Sequence, residues 1–244
     1  MTEESIREYP ERTLRDGART GLDMAVAAIP VVGGPVSILI DAVIAPGLEK
    51  RRREWFNHLA MLVGTLETAT PSVAISDLVG NEDFVDAVVQ VSAAAMKTHR
   101  SEKLVLLQSA LEGVAFGRAG ESLRQRRLIQ LVDELEPEHV VVLRYLSDPV
   151  AWFARTPGLE HGRTSGTAIG LLRQARLPVP DNEIRHVLKD LGDRLLANTQ
   201  SMEVSMTDLG LFESRLLPLG VALVDLIGEV VGELPAPARE GQRE

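Results

Sequence analysis

Residues 181–207 read DNEIRHVLKDLGDRLLANTQSMEVSMT, and they place a helix directly before the clearest strand signal in the chain. Asp181 is a residue type that caps helices, and apolar side chains then recur at intervals of three and four residues, as on one helix face. Apolar and polar residues alternate over 202–206, which is the period of a half-buried strand. We therefore predict a helix over 181–196 and a strand within 198–207.

Further segments with apolar residues at helical spacing lie before and after this pair in the sequence, and proline and glycine mark the turns between them. The order of helix, helix, helix, short β-hairpin and helix in the second half is that of a winged-helix domain. We predict a mainly α fold, in which an N-terminal helical domain precedes a winged-helix-like domain with one short β-hairpin. The predicted segments are an N-terminal arm at 1–20, the helical domain at 21–132, the winged-helix-like domain at 133–234 and a disordered tail at 235–244.

The predicted helix 181–196 would be the recognition helix if the second half bound DNA. Its candidate contacts to phosphate are Arg185, Lys189 and Arg194. Four acidic residues share the same segment, and residues 133–244 carry 11 basic against 18 acidic side chains, a net charge of −7. Because phosphate contacts dominate DNA affinity, this charge balance argues against nucleic-acid binding.

Residues 22–48 form the most apolar stretch of the chain. The part from 24 to 40 holds 17 residues without a charge, at the lower limit of a membrane span. Two prolines and two glycines interrupt it, so we predict two short helices joined by a tight turn. The residues that define this apolar hairpin are Pro30, Val32, Gly33, Gly34, Pro35 and Ile38.

A basic cluster follows the apolar hairpin directly and consists of Lys50, Arg51, Arg52 and Arg53. Its simplest interpretation is a solvated helix face beside a hairpin that is buried in the core. The alternative is conditional insertion into a membrane, because cations beside an apolar segment are attracted to anionic lipid. Asp23 and Asp41, which flank the hairpin, argue against insertion.

The composition excludes several kinds of chemistry. The chain has 244 residues, a net charge of −9 and no cysteine, which excludes disulfides, thiolate metal sites and cysteine nucleophiles and fits a reducing compartment. The five histidines are scattered, and no phosphate-binding loop, dinucleotide fingerprint or serine nucleophile motif occurs. We therefore expect no catalytic residues, no cofactor and no metal.

Six short stretches of the chain, taken in order, carry a resemblance: IPVVGGP at 29–35, LEKRRREW at 48–55 with Leu59, EDF at 82–84, THRSEK at 98–103, EH at 138–139 with Leu143, and TDLG at 207–210. Together they resemble a poorly characterised family of bacterial helical proteins related to the abortive-infection alpha group. The resemblance implies a mostly α-helical protein from gene neighbourhoods of the phage-defence type. It implies no catalytic residues, because none are established for that group.

The functional prediction that follows is a non-catalytic interaction protein of bacterial defence. Its expected partner is another protein or a second copy of itself in a homo-oligomer, and no small-molecule substrate is inferred. The alternatives are an effector that inserts the apolar hairpin into a membrane and a DNA-binding winged-helix regulator. The expected location is the cytoplasm or, with the membrane alternative, the inner face of the membrane.

Overall fold

The computed structural model describes residues 45–69, 78, 80–156 and 165–228. The chain divides into two compact units, Met1–Arg52 and Arg53–Glu244. The described residues of the first unit are only the start of one helix, so the fold reported below is that of the second unit.

The described residues form a mainly helical fold with ten helices and one two-stranded antiparallel sheet, which confirms the predicted class. The first six helices are α1 (Ala45–Ala69), α2 (Glu82–Lys97), α3 (Ser101–Ala115), α4 (Ser122–Glu134), α5 (Pro137–Ser147) and α6 (Pro149–Arg155). They are followed by β1 (Ser165–Thr167), α7 (Ala168–Gln174), α8 (Ile184–Asp193), β2 (Ser205–Thr207), α9 (Asp208–Phe212) and α10 (Pro218–Ile227).

Local sequence signals set several helix starts. The side chain of Asn81 accepts hydrogen bonds from the backbone N–H groups of Asp83 and Phe84, at 3.0 and 3.3 Å, and so caps α2. Pro137 opens α5 in its first turn, where its missing N–H removes no hydrogen bond. These starts depend on neighbouring residues only, which is why the sequence predicts them.

Two helices in the C-terminal half differ from their predictions. The backbone N–H groups of Glu183 and Ile184 both donate to the carbonyl of Pro180, at 2.9 and 3.2 Å, so a turn occupies 181–183 and α8 begins only at Ile184. The apolar run over 209–231 predicts a single helix that bends at Pro218. The described residues instead form two helices, α9 and α10, and Pro218 opens α10 at a position where proline fits.

The sheet differs from the predicted hairpin. The strand signal near 204 is confirmed, because β2 lies at Ser205–Thr207. Its antiparallel partner is β1, with Gly166 opposite Met206, and the two strands are separated along the chain by α7 and α8. Strand pairing over this distance depends on how the helices pack, so the alternation within 198–207 could not reveal the partner.

The core is built mainly from aliphatic side chains, as the small number of aromatic residues requires. Trp55 is 1% exposed, and its indole N–H donates to the hydroxyl of Ser92 at 2.9 Å, which joins α1 to α2. A second aromatic cluster links α5, α6 and α9, where rings meet edge to face at centroid distances of 6.1 to 6.2 Å. The members of this cluster are Tyr145, Trp152, Phe153 and Phe212.

Close backbone approaches place α10 at the centre of the second unit. A Cβ atom at Gly113 of α3 would collide with the carbonyl oxygen of Leu226, and one at Gly220 of α10 would collide with that of Leu196. Glycine is therefore required at both helix contacts by space rather than by backbone conformation. The predicted domain boundary between residues 132 and 133 stays a prediction.

Candidate functional site

The residues that the sequence singled out fall in three places. All six residues of the apolar hairpin, 30–38, lie outside the described residues. The basic cluster Lys50–Arg53 lies within α1, with Lys50 and Arg53 exposed and the two residues between them partly buried. Among the described residues, no helix combines the length and the apolar character that crossing a membrane requires.

The three candidate DNA contacts on and after α8 are each paired with a carboxylate of the same chain. Arg185 Nη1 lies 2.7 Å from Glu203 Oε1, and Lys189 forms an ion pair with Asp193. Arg194 lies 3.5 Å from a carboxylate oxygen of Glu134 and 3.8 Å from one of Asp190. A phosphate would have to displace these carboxylates, so the geometry supports the argument from charge against DNA binding.

A second set of charged residues meets beneath the start of α5, and we call it the α5 charge cluster: Arg100, Lys103, Glu136, Glu138 and His139. The guanidinium of Arg100 donates to both carboxylate oxygens of Glu138, at 2.7 and 3.1 Å, and to Glu136 at 3.3 Å. A two-bond pair of this kind fixes orientation as well as charge. It ties the turn between α2 and α3 to the first turn of α5.

The pKa values of this pair move in opposite directions. The hydrogen bond to Glu138 raises the pKa of Arg100, because it stabilises the charged form. Partial burial is the largest single influence on Glu138 and would raise its pKa. The hydrogen bonds and the charge of Arg100, together with a backbone hydrogen bond, more than offset burial, so the pKa falls below the ordinary glutamate value. Both groups are therefore held in their charged forms, which suits a structural ion pair.

Lys103 is the most buried charged residue described, with 4% of its surface exposed. Its ammonium group donates to the carbonyl oxygens of Val132 at 2.7 Å, Asp133 at 2.9 Å and Leu135. These carbonyls end α4, where a cation is favoured by the helix dipole. Burial lowers the pKa of Lys103, although three acceptors match the three N–H donors that only the protonated form has.

His139 joins this cluster to α8. Its Nε2 lies 3.3 Å from a carboxylate oxygen of Asp190, while Nδ1 is buried and finds no hydrogen-bond partner among the described residues. Asp190 is also the acid that faces Arg194. Polar contacts therefore run from the α2–α3 turn to the start of α5, through Arg100 and Glu138, and from α5 to the end of α8, through His139 and Asp190.

The α5 charge cluster holds helices together, and its contacts favour a structural role over a catalytic one. Arg100 and Lys103 are already hydrogen-bonded to acceptors of the same chain. In the described part of the chain, no group of three or more histidine, aspartate and glutamate side chains could hold a metal ion. The sequence analysis did not predict these contacts. One signal was available, because Lys103 shares a helix face with Leu106, Leu107 and Ala110, which are buried.

A groove lies at the C-terminal end of α8, with a volume of about 400 Å³. We call it the α8 groove. Charged, polar and apolar side chains line it, including Lys189, Asp193, Leu195, Asn198, Gln200 and Leu217. This volume is at the small end of the range for ligand pockets, and the lining is mixed in character.

Three aliphatic side chains close together in sequence are exposed on this C-terminal half. Leu195, Val204 and Leu209 expose 66%, 59% and 88% of their surfaces. Leu195 is one of the residues that line the α8 groove, and the other two flank β2. We call these three residues the exposed aliphatic set.

The resemblance in the short stretches 98–103 and 138–139 stays a prediction, although the fold brings Arg100 and Glu138 of these stretches into contact. No protein-family model, curated protein or solved structure matches this chain.

Proposed function

We propose that this chain is a non-catalytic interaction protein whose partners are proteins. The observation that carries the proposal is the exposed aliphatic set, Leu195, Val204 and Leu209, beside helix charges that are already paired. Exposed apolar side chains favour association with another protein surface where they gather in one patch, and these three lie within the single short segment 195–209. The charges on α8 are already paired within the chain. They therefore attract a polyanion only weakly, and they oppose the binding of a protein partner only weakly.

The order of elements supports a winged-helix-like arrangement for this half. We propose that β1, α7, α8 and β2 correspond to its strand, two helices and returning strand. The antiparallel pairing of β1 with β2 around the two helices supports this assignment. In such an arrangement α8 would take the place of the recognition helix, and its paired charges favour a protein partner for it over DNA.

The setting in bacterial defence rests on the resemblance alone. Two of the stretches that carry it, 98–103 and 138–139, supply Arg100, Lys103 and Glu138 to the α5 charge cluster. If the chain shares these stretches with that family for structural reasons, the stretches maintain the helix packing that holds α8 in place. The proposal therefore assigns the cluster to scaffolding and the exposed aliphatic set to recognition.

The experiment that tests the proposal is affinity capture from a bacterial lysate with the tagged full-length chain. The variant Val204→Ser, Leu209→Ser removes two exposed aliphatic side chains, and Leu123→Ser is the matched control, because Leu123 is 83% exposed on α4. We expect a protein partner to be retained by the wild type and by the control and to be lost with the double variant. Equal capture by all three proteins, or no capture and no self-association, would contradict the proposal.

A gel-shift measurement at low salt tests the DNA alternative separately. We expect no shift of duplex DNA at micromolar protein concentration, because Arg185, Lys189 and Arg194 all face carboxylates. Binding that weakens steeply with added salt would indicate phosphate contacts and would favour the regulator instead.

A further inference from the structure

The end of α10 rests on Arg118, which lies in the turn between α3 and α4. Arg118 Nη1 donates to the carbonyl of Asp225 at 3.4 Å, at the helix end where the dipole favours a cation. A Cβ atom at Gly228, the residue after α10, would stand 2.6 Å from the same Nη1. The chain therefore leaves α10 directly beside this guanidinium group.

Another N–H group of Arg118 lacks an acceptor. Its Nε is buried and finds no hydrogen-bond partner among the described residues. Buried donors in native proteins are almost always paired, and an unpaired donor on a charged group is especially costly. We therefore expect an acceptor from outside the described residues, and a carboxylate is the acceptor that fits a guanidinium group best.

The α3–α4 turn and the start of α4 carry a basic surface, which we call the α4 arginine surface: Arg118, Arg124 and Arg127. Segment 116–130 contains four basic residues and one acidic residue, a net charge of +3, in a chain whose net charge is −9. Arg127 donates only to the neutral side chain of Gln130, at 3.3 Å. None of the ion pairs within the described part of the chain includes any of the three arginines. This surface therefore has room for carboxylates.

The sequence that follows Gly228 complements the α4 arginine surface. Residues 229–234 read EVVGEL and contain two carboxylates and three aliphatic side chains. Glu229 is bonded directly to Gly228, so its carboxylate begins beside the guanidinium group of Arg118. The segment therefore supplies an acceptor at the place where Arg118 Nε lacks one.

The length of the segment and an exposed ring fit the same surface. Six residues span at most about 20 Å when extended. Arg124 lies within this range of α10, because a Cβ atom at Gly120, two residues from Arg118, would stand 3.5 Å from its Cδ. Phe116 has its ring centroid 5.5 Å from Cζ of Arg118 and is 38% exposed. Apolar and acidic side chains that follow α10 can thus reach partners of both kinds.

We propose that residues 229–234 dock on the α4 arginine surface, where the carboxylate of Glu229 accepts a hydrogen bond from Arg118 Nε. Nε and a terminal N–H of one guanidinium group together form the two-bond arrangement that carboxylates favour. The aliphatic side chains of the segment cover Phe116, and its two carboxylates offset the net charge of +3 over 116–130. This surface is separate from the exposed aliphatic set, so the inference does not rest on the proposed function.

The first test uses single thiols, which report on one position each because the chain has no cysteine. Val230→Cys and Val231→Cys place a thiol within the docked segment, and Ala238→Cys places one beyond it as the control. We expect iodoacetamide to react at least about tenfold more slowly with one of the first two than with the control in the folded full-length chain. The rates of the same three variants in urea correct for the influence of neighbouring residues on each thiol.

The second test exchanges the charges of the proposed pair in the protected cysteine variant. Glu229→Arg places two cations together and should abolish the protection, whereas Glu240→Arg makes the same charge change outside the segment and should keep it. Arg118→Glu combined with Glu229→Arg restores opposite charges and should restore the protection. Arg118→Lys keeps the cation at the end of α10 but lacks Nε, so it should also lose the protection, whether or not the exchanged variant folds.

Three results would overturn the inference. Equal reaction rates at positions 230, 231 and 238, after correction, mean that the segment does not dock. Protection that Glu229→Arg leaves unchanged means that the segment docks through other contacts. Protection that survives Arg118→Lys, or that is absent from a folded charge-exchanged variant, excludes Arg118 as the partner of Glu229. None of these results bears on the capture of a protein through Val204 and Leu209, so the proposed function is tested separately.

Discussion

Cations of this protein occupy two contrasting environments, the α5 charge cluster and the exposed face of α8. Lys103 is buried and donates to carbonyl oxygens that end α4, whereas Lys189 lies on the surface and pairs with Asp193 one turn away. The buried ammonium group of Lys103 hydrogen-bonds to carbonyl oxygens that water cannot reach. Water can replace the surface contact between Lys189 and Asp193 at little cost in free energy. Buried charges such as that of Lys103 therefore stabilise the fold, whereas surface charges such as that of Lys189 contribute little to its stability.

The largest effect should come from Lys103→Met, which keeps much of the side-chain length and removes the three N–H donors. The carbonyls at the end of α4 would lose their partners in a buried site, so we expect the free energy of unfolding to fall by about 3 kcal/mol. Urea unfolding followed by circular dichroism measures this change.

The matched control is Lys97→Met on α2, because Lys97 is 67% exposed and pairs with Asp133 across the surface. We expect a change within about 0.5 kcal/mol there. Equal destabilisation by the two variants would show that burial does not make the contribution of Lys103 to stability larger than that of Lys97.

A smaller effect is expected from Arg100→Lys, which keeps the charge and removes the two-bond contact with Glu138. Because the pair is partly exposed to solvent, we expect a loss of about 1 to 2 kcal/mol in the free energy of unfolding. Arg126→Lys, at the exposed ion pair with Asp86, is the control and should be nearly neutral. If the Arg100 variant is neutral as well, the two-bond geometry does not contribute to stability.

A pH series sharpens the comparison further. The pKa of Glu138 is lower in the folded state than the ordinary value of 4.5, so the ionised group stabilises the fold above that pH. This contribution is lost as the pH falls from 4.5 through the lowered pKa. We expect wild type to exceed Glu138→Gln in stability at pH 7 and the difference to shrink on acidification.

Urea unfolding of both proteins between pH 7 and pH 3 would measure this difference. Glu136→Gln is the control, because Glu136 is 53% exposed and contacts Arg100 through a single longer bond of 3.3 Å. A difference between wild type and Glu138→Gln that is the same at every pH would contradict the assigned ion pair.

The smallest effect is expected for Arg185→Ala on α8. The Arg185 and Glu203 side chains are 64% and 58% exposed, so solvent screens their attraction. We expect the Tm to change by about one degree or less. A large fall in Tm would mean that the α8 charges hold the fold, and the contrast with the α5 charge cluster would not stand.

The parts of the fold that the sequence predicted are those with local causes. Asn81 caps α2 through backbone groups two and three residues away, and Pro137 marks the start of α5 by its own geometry. The strand at β2 was found from alternation, but its partner β1 was not, because the pairing of Gly166 with Met206 spans two helices. Contacts of that kind depend on the packing of several elements at once.

The candidate surfaces were predicted less completely. The sequence identified Arg185, Lys189 and Arg194 and their acidic neighbours, which was enough to argue against DNA. It did not identify Leu195, since an apolar residue at the end of a periodic segment is expected on the buried face of the helix. Its exposure follows from the turn that closes α8, which rotates this residue away from the core.

The sequence by itself determined the helical class, the local helix caps, the absence of cysteine chemistry and the acidity of residues 133–244, because each depends on composition or on neighbours along the chain. The tertiary structure decided where the charges go. It buried Lys103 beneath the end of α4, paired Arg100 with Glu138, and left Leu195 exposed among the residues that line a groove. Burial and distance between residues far apart in sequence set the energy of each of these contacts, and only the packed helices fix both.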